Sequence, residues 1–315
     1  MKLNKYVTFS SCLLALSLLI GCAKEETTNV QTTSNGTTQS NIAADDVTLN
    51  NEFDQFADEA LQVISNRKVS IYGASIDTSQ ITLGVITIYY SGKEADGTKS
   101  RSGSDSIHLS MVGGHIVPWG TPGTTASITL GCINSPGYEL TFLNGNTSLR
   151  LNGTCTLTNV SGGYYQSLVR GDSLVENIQG SMEFTFNDNA ASIVYYPFNV
   201  NETRSFTKPD SISATTRGNA TMEGYTQVAN WGEDRFGNTY YACIAANVVQ
   251  NISIATLSYN PLSGMKNIEG ISEPIQCTYG VNSAGNAVTS GTPYGVVINW
   301  SNNGGVATAV IPYYY

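Results

Sequence analysis

The stretch Ile81-Thr82-Leu83-Gly84-Val85-Ile86-Thr87-Ile88-Tyr89-Tyr90 decides the fold. Its β-branched and aromatic residues alternate with period two, which suits a half-buried pleated strand. The pattern returns downstream at Ser127-Ile128-Thr129-Leu130, Glu139-Leu140-Thr141-Phe142-Leu143, Thr154-Cys155-Thr156-Leu157-Thr158 and Met182-Glu183-Phe184-Thr185-Phe186. It recurs at Tyr240-Tyr241-Ala242-Cys243-Ile244 and Val296-Val297-Ile298-Asn299-Trp300. Turn chemistry separates the runs, as in Asp96-Gly97, Asn144-Gly145-Asn146, Asn152-Gly153 and Phe236-Gly237-Asn238. Short strands at close spacing, without helical patterning between them, predict one large all-β antiparallel domain over 69–315. A sandwich and a coiled meander sheet both satisfy this pattern.

One amphipathic helix is expected before the strands, over 51–68. Phe53, Phe56, Ala57, Ala60, Leu61 and Ile64 fall on a single helical stripe. Glu52, Asp54, Asp58 and Glu59 crowd its N-terminal half and Arg67 and Lys68 its end, as the helix dipole favours. Such a helix would plug the open end or face of a sheet. Residues 22–50 are rich in Thr, Asn, Ser and Gln and show no apolar periodicity, which reads as a flexible polar tether.

Residues 1–21 read as a secretory leader, with Lys2 and Lys5 ahead of the apolar run Leu13-Leu14-Ala15-Leu16-Ser17-Leu18-Leu19-Ile20. That run is too short to span a bilayer. It ends in Leu19-Ile20-Gly21-Cys22, which resembles a bacterial lipobox and implies a diacylglyceryl group on the Cys22 thiol. Each buried acyl methylene contributes about 0.8 kcal/mol, so two or more chains hold a protein stably at a membrane. Lys24-Glu25-Glu26 behind the thiol resembles a lipoprotein surface-export signal. The expected location is the outer membrane, lipid-anchored and facing outward, with a periplasm-facing orientation left open.

Composition narrows the function. A net charge of −9 with 12% charged residues speaks against nucleic-acid binding, which needs clustered Lys and Arg. No Walker A loop, dinucleotide fingerprint, EF-hand loop or CxxC spacing is present, so no cofactor or metal is expected. No catalytic residue is assigned either. Asp105 with His108 and His115 makes a weak triad candidate, and Glu183 and Glu233-Asp234 are the carboxylates worth locating.

Binding is better supported. Trp119, Trp231, Trp300 and 18 Tyr offer flat faces for sugar rings or protein interfaces. Trp119 sits in Val117-Pro118-Trp119-Gly120-Thr121-Pro122-Gly123, a loop in which exposure is expected; it and Trp231 are the ligand-binding candidates. With Cys22 acylated, Cys132, Cys155, Cys243 and Cys277 remain. They either pair locally, as Cys132–Cys155 and Cys243–Cys277, or stay reduced in a β core. Asp105-Ser106-Ile107, Asp172-Ser173-Leu174 and Asp210-Ser211-Ile212 resemble the Bacteroidota O-glycosylation motif, with Ser106, Ser173 and Ser211 as acceptors.

These features, together with Asp96-Gly97-Thr98-Lys99-Ser100-Arg101-Ser102-Gly103, Leu151-Asn152-Gly153-Thr154, Asp234-Arg235-Phe236-Gly237-Asn238-Thr239-Tyr240 and Pro261-Leu262-Ser263-Gly264, resemble a group of uncharacterised all-β Bacteroidota surface lipoproteins. The resemblance implies location and fold, and no activity. The expected function is a non-enzymatic binding or structural role at the cell envelope, with a glycan or a protein as partner. The alternatives are a glycan-binding lipoprotein of an outer-membrane uptake system, a lipoprotein pilin subunit and an envelope glycosidase.

Overall fold

The computed structural model describes residues 34–66, 70–94, 97–131, 138–142, 148–187, 195–208, 212–252 and 260–313. Among the described residues one α-helix, α1 (Ser34–Ser65), is followed by strands, apart from two short 3-10 turns. The first strands are β1 (Ala74–Asp77), β2 (Val85–Lys93), β3 (Lys99–Leu109), β4 (Met111–Val112), β5 (His115–Ile116) and β6 (Thr124–Leu130). The middle of the chain forms β7 (Tyr138–Phe142), β8 (Ser148–Asn159), β9 (Ser173–Asn187), β10 (Tyr196–Thr207), β11 (Ile212–Gly218) and β12 (Ala220–Met222). The last are β13 (Tyr225–Glu233), β14 (Thr239–Ile252), β15 (Pro261–Glu269), β16 (Ile275–Val281), β17 (Gly295–Asn302) and β18 (Gly305–Pro312).

All but the β4–β5 hairpin belong to one 16-stranded sheet, whose path runs β1-β2-β3-β6-β8-β9-β10-β11-β14-β15-β16-β17-β18. Every pairing is antiparallel, so the all-β expectation holds and the meander describes its topology. Two positions in the path are shared. β6 pairs with Asp105–Leu109 of β3, while β7 pairs with Lys99–Ser102 of the same strand. β11 and β13 divide β10 and β14 in the same way.

The sheet wraps around the helix. Every residue of α1 from Ile42 to Leu49 and from Glu52 to Ile64 is buried, whichever way it points. A helix docked on one face of a sheet would leave a wet stripe, and this one leaves none. The direction of the polar partners gives the same answer. At about 100° per residue, with Asp45 as zero, Glu59 points to about 320°, Asp58 to about 220°, Asp54 to about 180° and Asp46 to about 100°. Their partners are Arg101 on β3, Arg204 on β10, Gln250 on β14 and Lys266 on β15. Going around the helix reproduces the order of strands across the sheet.

Helix α1 is 32 residues long and begins at Ser34, so it takes in much of the segment expected to be a tether. The apolar stripe packs into the core as expected, but the acidic side is as buried as the apolar one. The cause is tertiary. Asp45 and Asp46 meet side chains from 184 to 220 positions further along the chain, and no local pattern announces such partners.

The core has two clusters. The larger gathers Leu49, Phe53, Phe56, Leu61 and Ile64 of the helix with the inner faces of β2 to β11. The smaller gathers Ile42, Ala43, Ala44 and Val47 with Tyr240, Ile268, Tyr279, Ile298 and Trp300. Between them lies a cavity of about 20 Å³, bordered by Asn50, Asn51, Asp54, Glu202, Thr216 and Lys266 among others.

Candidate functional site

Two places concentrate chemistry. The first is the charged interior. Arg101 donates from Nη1 to both carboxylate oxygens of Glu59, at 2.7 and 2.8 Å. Arg204 makes a two-armed contact with Asp58, at 2.8 and 3.1 Å. Lys266 donates to Asn230 at 3.0 Å and to Asp46 at 3.3 Å. Nearer the surface, Arg235 pairs with Asp45 and Lys99 with Glu52. Sheet acids share this space: Asp105 accepts from the Tyr90 hydroxyl at 2.9 Å.

Burial raises these acids. It lifts Asp105, Glu176 and Glu202 to about 8, and Asp58 to about 6 against the opposing pull of Arg204. The first three are therefore mostly protonated at neutral pH. The interior is a neutralised, structural array, closed to solvent at Arg101, Arg204 and Asp58.

The second place is open. A cleft of about 400 Å³ lies where α1 ends, lined by Ile64, Ser65 and Asn66 of the helix end. Leu109, Ser110, Ile116, Val117, Pro118 and Trp119 form one side, with Thr124, Thr125 and Tyr164 completing it. Its loops are braced by Asn159, which is wholly buried at the end of β8. The Asn159 amide donates to the carbonyls of Trp119 and Gly163, both at 2.9 Å, and its Oδ1 accepts from Gly162 N at 2.8 Å. Gly163 N donates to Gly120 O at 2.9 Å, fastening the two loops together. Ser110 Oγ and Thr125 Oγ1 lie 2.8 Å apart on the cleft wall.

Tyr164 lies directly against Gly120. A Cβ at position 120 would sit 2.7 Å from Tyr164 Cε2, closer than real contacts allow. Glycine at 120 therefore permits the ring to form this wall.

The sequence candidates are placed as follows. Trp119 lines the cleft but is only 4% exposed, because its indole joins the larger core cluster instead of projecting from the loop. Trp231 is half-buried on β13, opposite Asn199 and Tyr241, and is not brought to the cleft. Ser173 is exposed, and Ser106 is half-buried with Oγ 3.2 Å from His108 Nε2. Cys22, Cys132 and Ser211 lie outside the described residues.

Cys155, Cys243 and Cys277 are buried free thiols, as in the reduced alternative, and Cys132, the local partner considered for Cys155, lies outside the described residues. Cys243 on β14 and Cys277 on β16 have β15 between them, with Asn267 opposite one and Lys266 opposite the other. Two strand spacings amount to about 10 Å, beyond the roughly 7 Å that a disulfide bridges. Cys155 points inward, where burial pushes its thiol up and suppresses its reactivity.

Asp105 and His108 do not meet, since positions three apart on a strand face opposite ways. The acid is buried and the imidazole exposed. Asp234 closes its own turn, with Oδ1 accepting from the backbone of Phe236 at 2.8 Å and of Asn238 at 2.9 Å. Glu183 is exposed. Among the described residues no group of three or more metal-ligating side chains converges, and no helix is long and apolar enough to cross a membrane. Sequence reasoning missed Tyr164, Ser65 and the bracing Asn159; Ser161-Gly162-Gly163-Tyr164 carries only turn chemistry, which points to no partner loop.

No protein-family model, curated protein or solved structure matches this chain.

Proposed function

We propose that this protein is a lipid-anchored cell-envelope lipoprotein with a non-enzymatic binding role, and that it binds at the cleft beside the end of α1. The leader and Cys22 support the anchoring. The observation that carries the binding reading is the braced cleft itself: a concave volume of about 400 Å³ with aromatic walls held in place by Asn159. Concave, preformed clefts in which polar groups converge beside apolar walls are where small molecules bind.

Anchoring is tested by fractionating the natural host. The wild-type chain is expected with the membranes and Cys22→Ser in the soluble fraction. A wild-type chain found wholly soluble would overturn the reading.

A further inference from the structure

We infer that the cleft takes a neutral, hydroxyl-bearing ring of sugar size; this deepens the binding reading above and rests on it. The first argument is charge. Among the described residues no acidic or basic side chain lines the cleft, although the protein carries a net −9. A charged ligand would lose water there without gaining a counter-charge from any of those residues.

The second argument is the kind of polar group present. The hydroxyls of Ser65, Ser110, Thr124 and Thr125 and the Asn66 amide line the cleft; Ser110 Oγ and Thr124 Oγ1 donate to the carbonyls of Thr125 and Pro118, at 2.8 and 3.3 Å, which leaves oxygen acceptors and the Ser65 hydroxyl for a ligand. A polyol needs that mixture, because each of its own hydroxyls does both. Ser65 Oγ is buried and has no hydrogen-bond partner within the protein. An unmade bond at a buried hydroxyl is costly, and turning the Ser65 side chain toward the cleft would let an occupant's hydroxyl satisfy it.

The third argument is shape. The Tyr164 ring is half-buried and seated on Gly120, so it offers a fixed flat wall without further ordering. The apolar C–H face of a sugar ring packs on such a wall, while Leu109, Ile116 and Val117 exclude water around it. The volume suits one or two rings.

The test is saturation-transfer NMR and calorimetry on the full chain in detergent. The probes are glucose, N-acetylglucosamine and maltose, against glucuronate and glucosamine as the anionic and cationic counterparts. At least one neutral sugar is expected to bind, with its charged counterparts weaker by about tenfold or more. Gly120→Ala pushes the Tyr164 ring aside and Tyr164→Ala removes it. Each is expected to weaken binding by about tenfold, and Ser65→Ala by a smaller factor. Thermal unfolding of each variant separates loss of the wall from loss of the fold.

Equal binding of charged and neutral probes, or neutral binding indifferent to both wall variants, overturns the ligand class. So does silence from every neutral probe at millimolar concentration. The outcome of the Cys22→Ser fractionation is independent of all three, so the two failures are distinguishable.

Discussion

The two halves of α1 solve one problem in opposite ways. From Leu49 to Ile64 the helix supplies the bulk: Phe53 and Phe56 meet edge to face at 4.9 Å, and Phe198 packs on Phe53 at 6.4 Å. From Ile42 to Val47 the helix supplies little volume, and the sheet fills the space with Tyr240, Tyr279 and Trp300. Both halves carry acids to cations, and each holds sealed and wetter contacts: Arg101–Glu59 and Lys266–Asp46 are closed, whereas Lys99, paired with Glu52, and Arg235, paired with Asp45, keep 18% and 26% of their side chains exposed. The difference teaches that a central helix need not look like one. Where the sheet brings the large side chains, the helix is free to be small and polar.

The comparison breaks most sharply at the ion pairs. Arg204→Ala leaves Asp58 charged or freshly protonated in a dry site, and is expected to cost about 3–5 kcal/mol in urea unfolding. Arg235→Ala, at the wetter pair, is expected to cost about 1 kcal/mol or less. Equal costs would mean that the sealed pair and the wetter pair do not differ in their access to water.

Packing comes next. Phe53→Ala is expected to cost about 3–4 kcal/mol through the cavity it leaves. Ala43→Leu is expected to cost about 1–3 kcal/mol by crowding the aromatic wall, the reverse sign of volume change with the same sign of effect. A neutral Ala43→Leu would show spare room in the smaller cluster.

Acidity sharpens the contrast further. Asp105, Glu176 and Glu202 are raised to about 8 by burial, from an ordinary value near 4. Between those values the folded chain holds protons that the unfolded chain releases. Their contribution is thus fully present below about pH 4 and is lost as pH rises through about 8. Asp58, raised to about 6, acts in the same direction over a narrower window. Denaturation at pH 6 and pH 9 is expected to show lower stability at the higher pH, and Asp105→Asn to flatten part of the slope. A stability that rises across this interval would contradict the burial of these acids.

The smallest effect is expected at the boundary between the clusters. Thr216 Oγ1 and Glu202 Oε1 are buried without hydrogen-bond partners beside the cavity of about 20 Å³. Thr216→Val removes a hydroxyl that the protein itself leaves unsatisfied, so its effect on the unfolding midpoint should stay within about 1 kcal/mol.

The same contrast explains what was legible. Phe53, Phe56, Leu61 and Ile64 repeat on one stripe, and the helix around them could be read directly. Ile42 and Val47 stand among Thr, Asn, Ala and Asp, and nothing local distinguishes that segment from a polar linker. Strands such as β2, β6 and β8 were legible because side-chain alternation is a property of neighbours in sequence. The cleft was half legible: Trp119 was singled out for its loop, whereas Tyr164 gains meaning only against Gly120, 44 positions earlier.

What the sequence determined by itself was the period-two body, the turns between its strands and the apolar stripe of the helix, since each follows from residues within a few positions of one another. Tertiary structure alone decided that the sheet wraps around the helix, which acids are charged, that the described thiols stay apart and that a walled cleft forms at the helix end. Those outcomes depend on groups that meet in space from far apart in the chain, and burial and pairing are properties of that meeting.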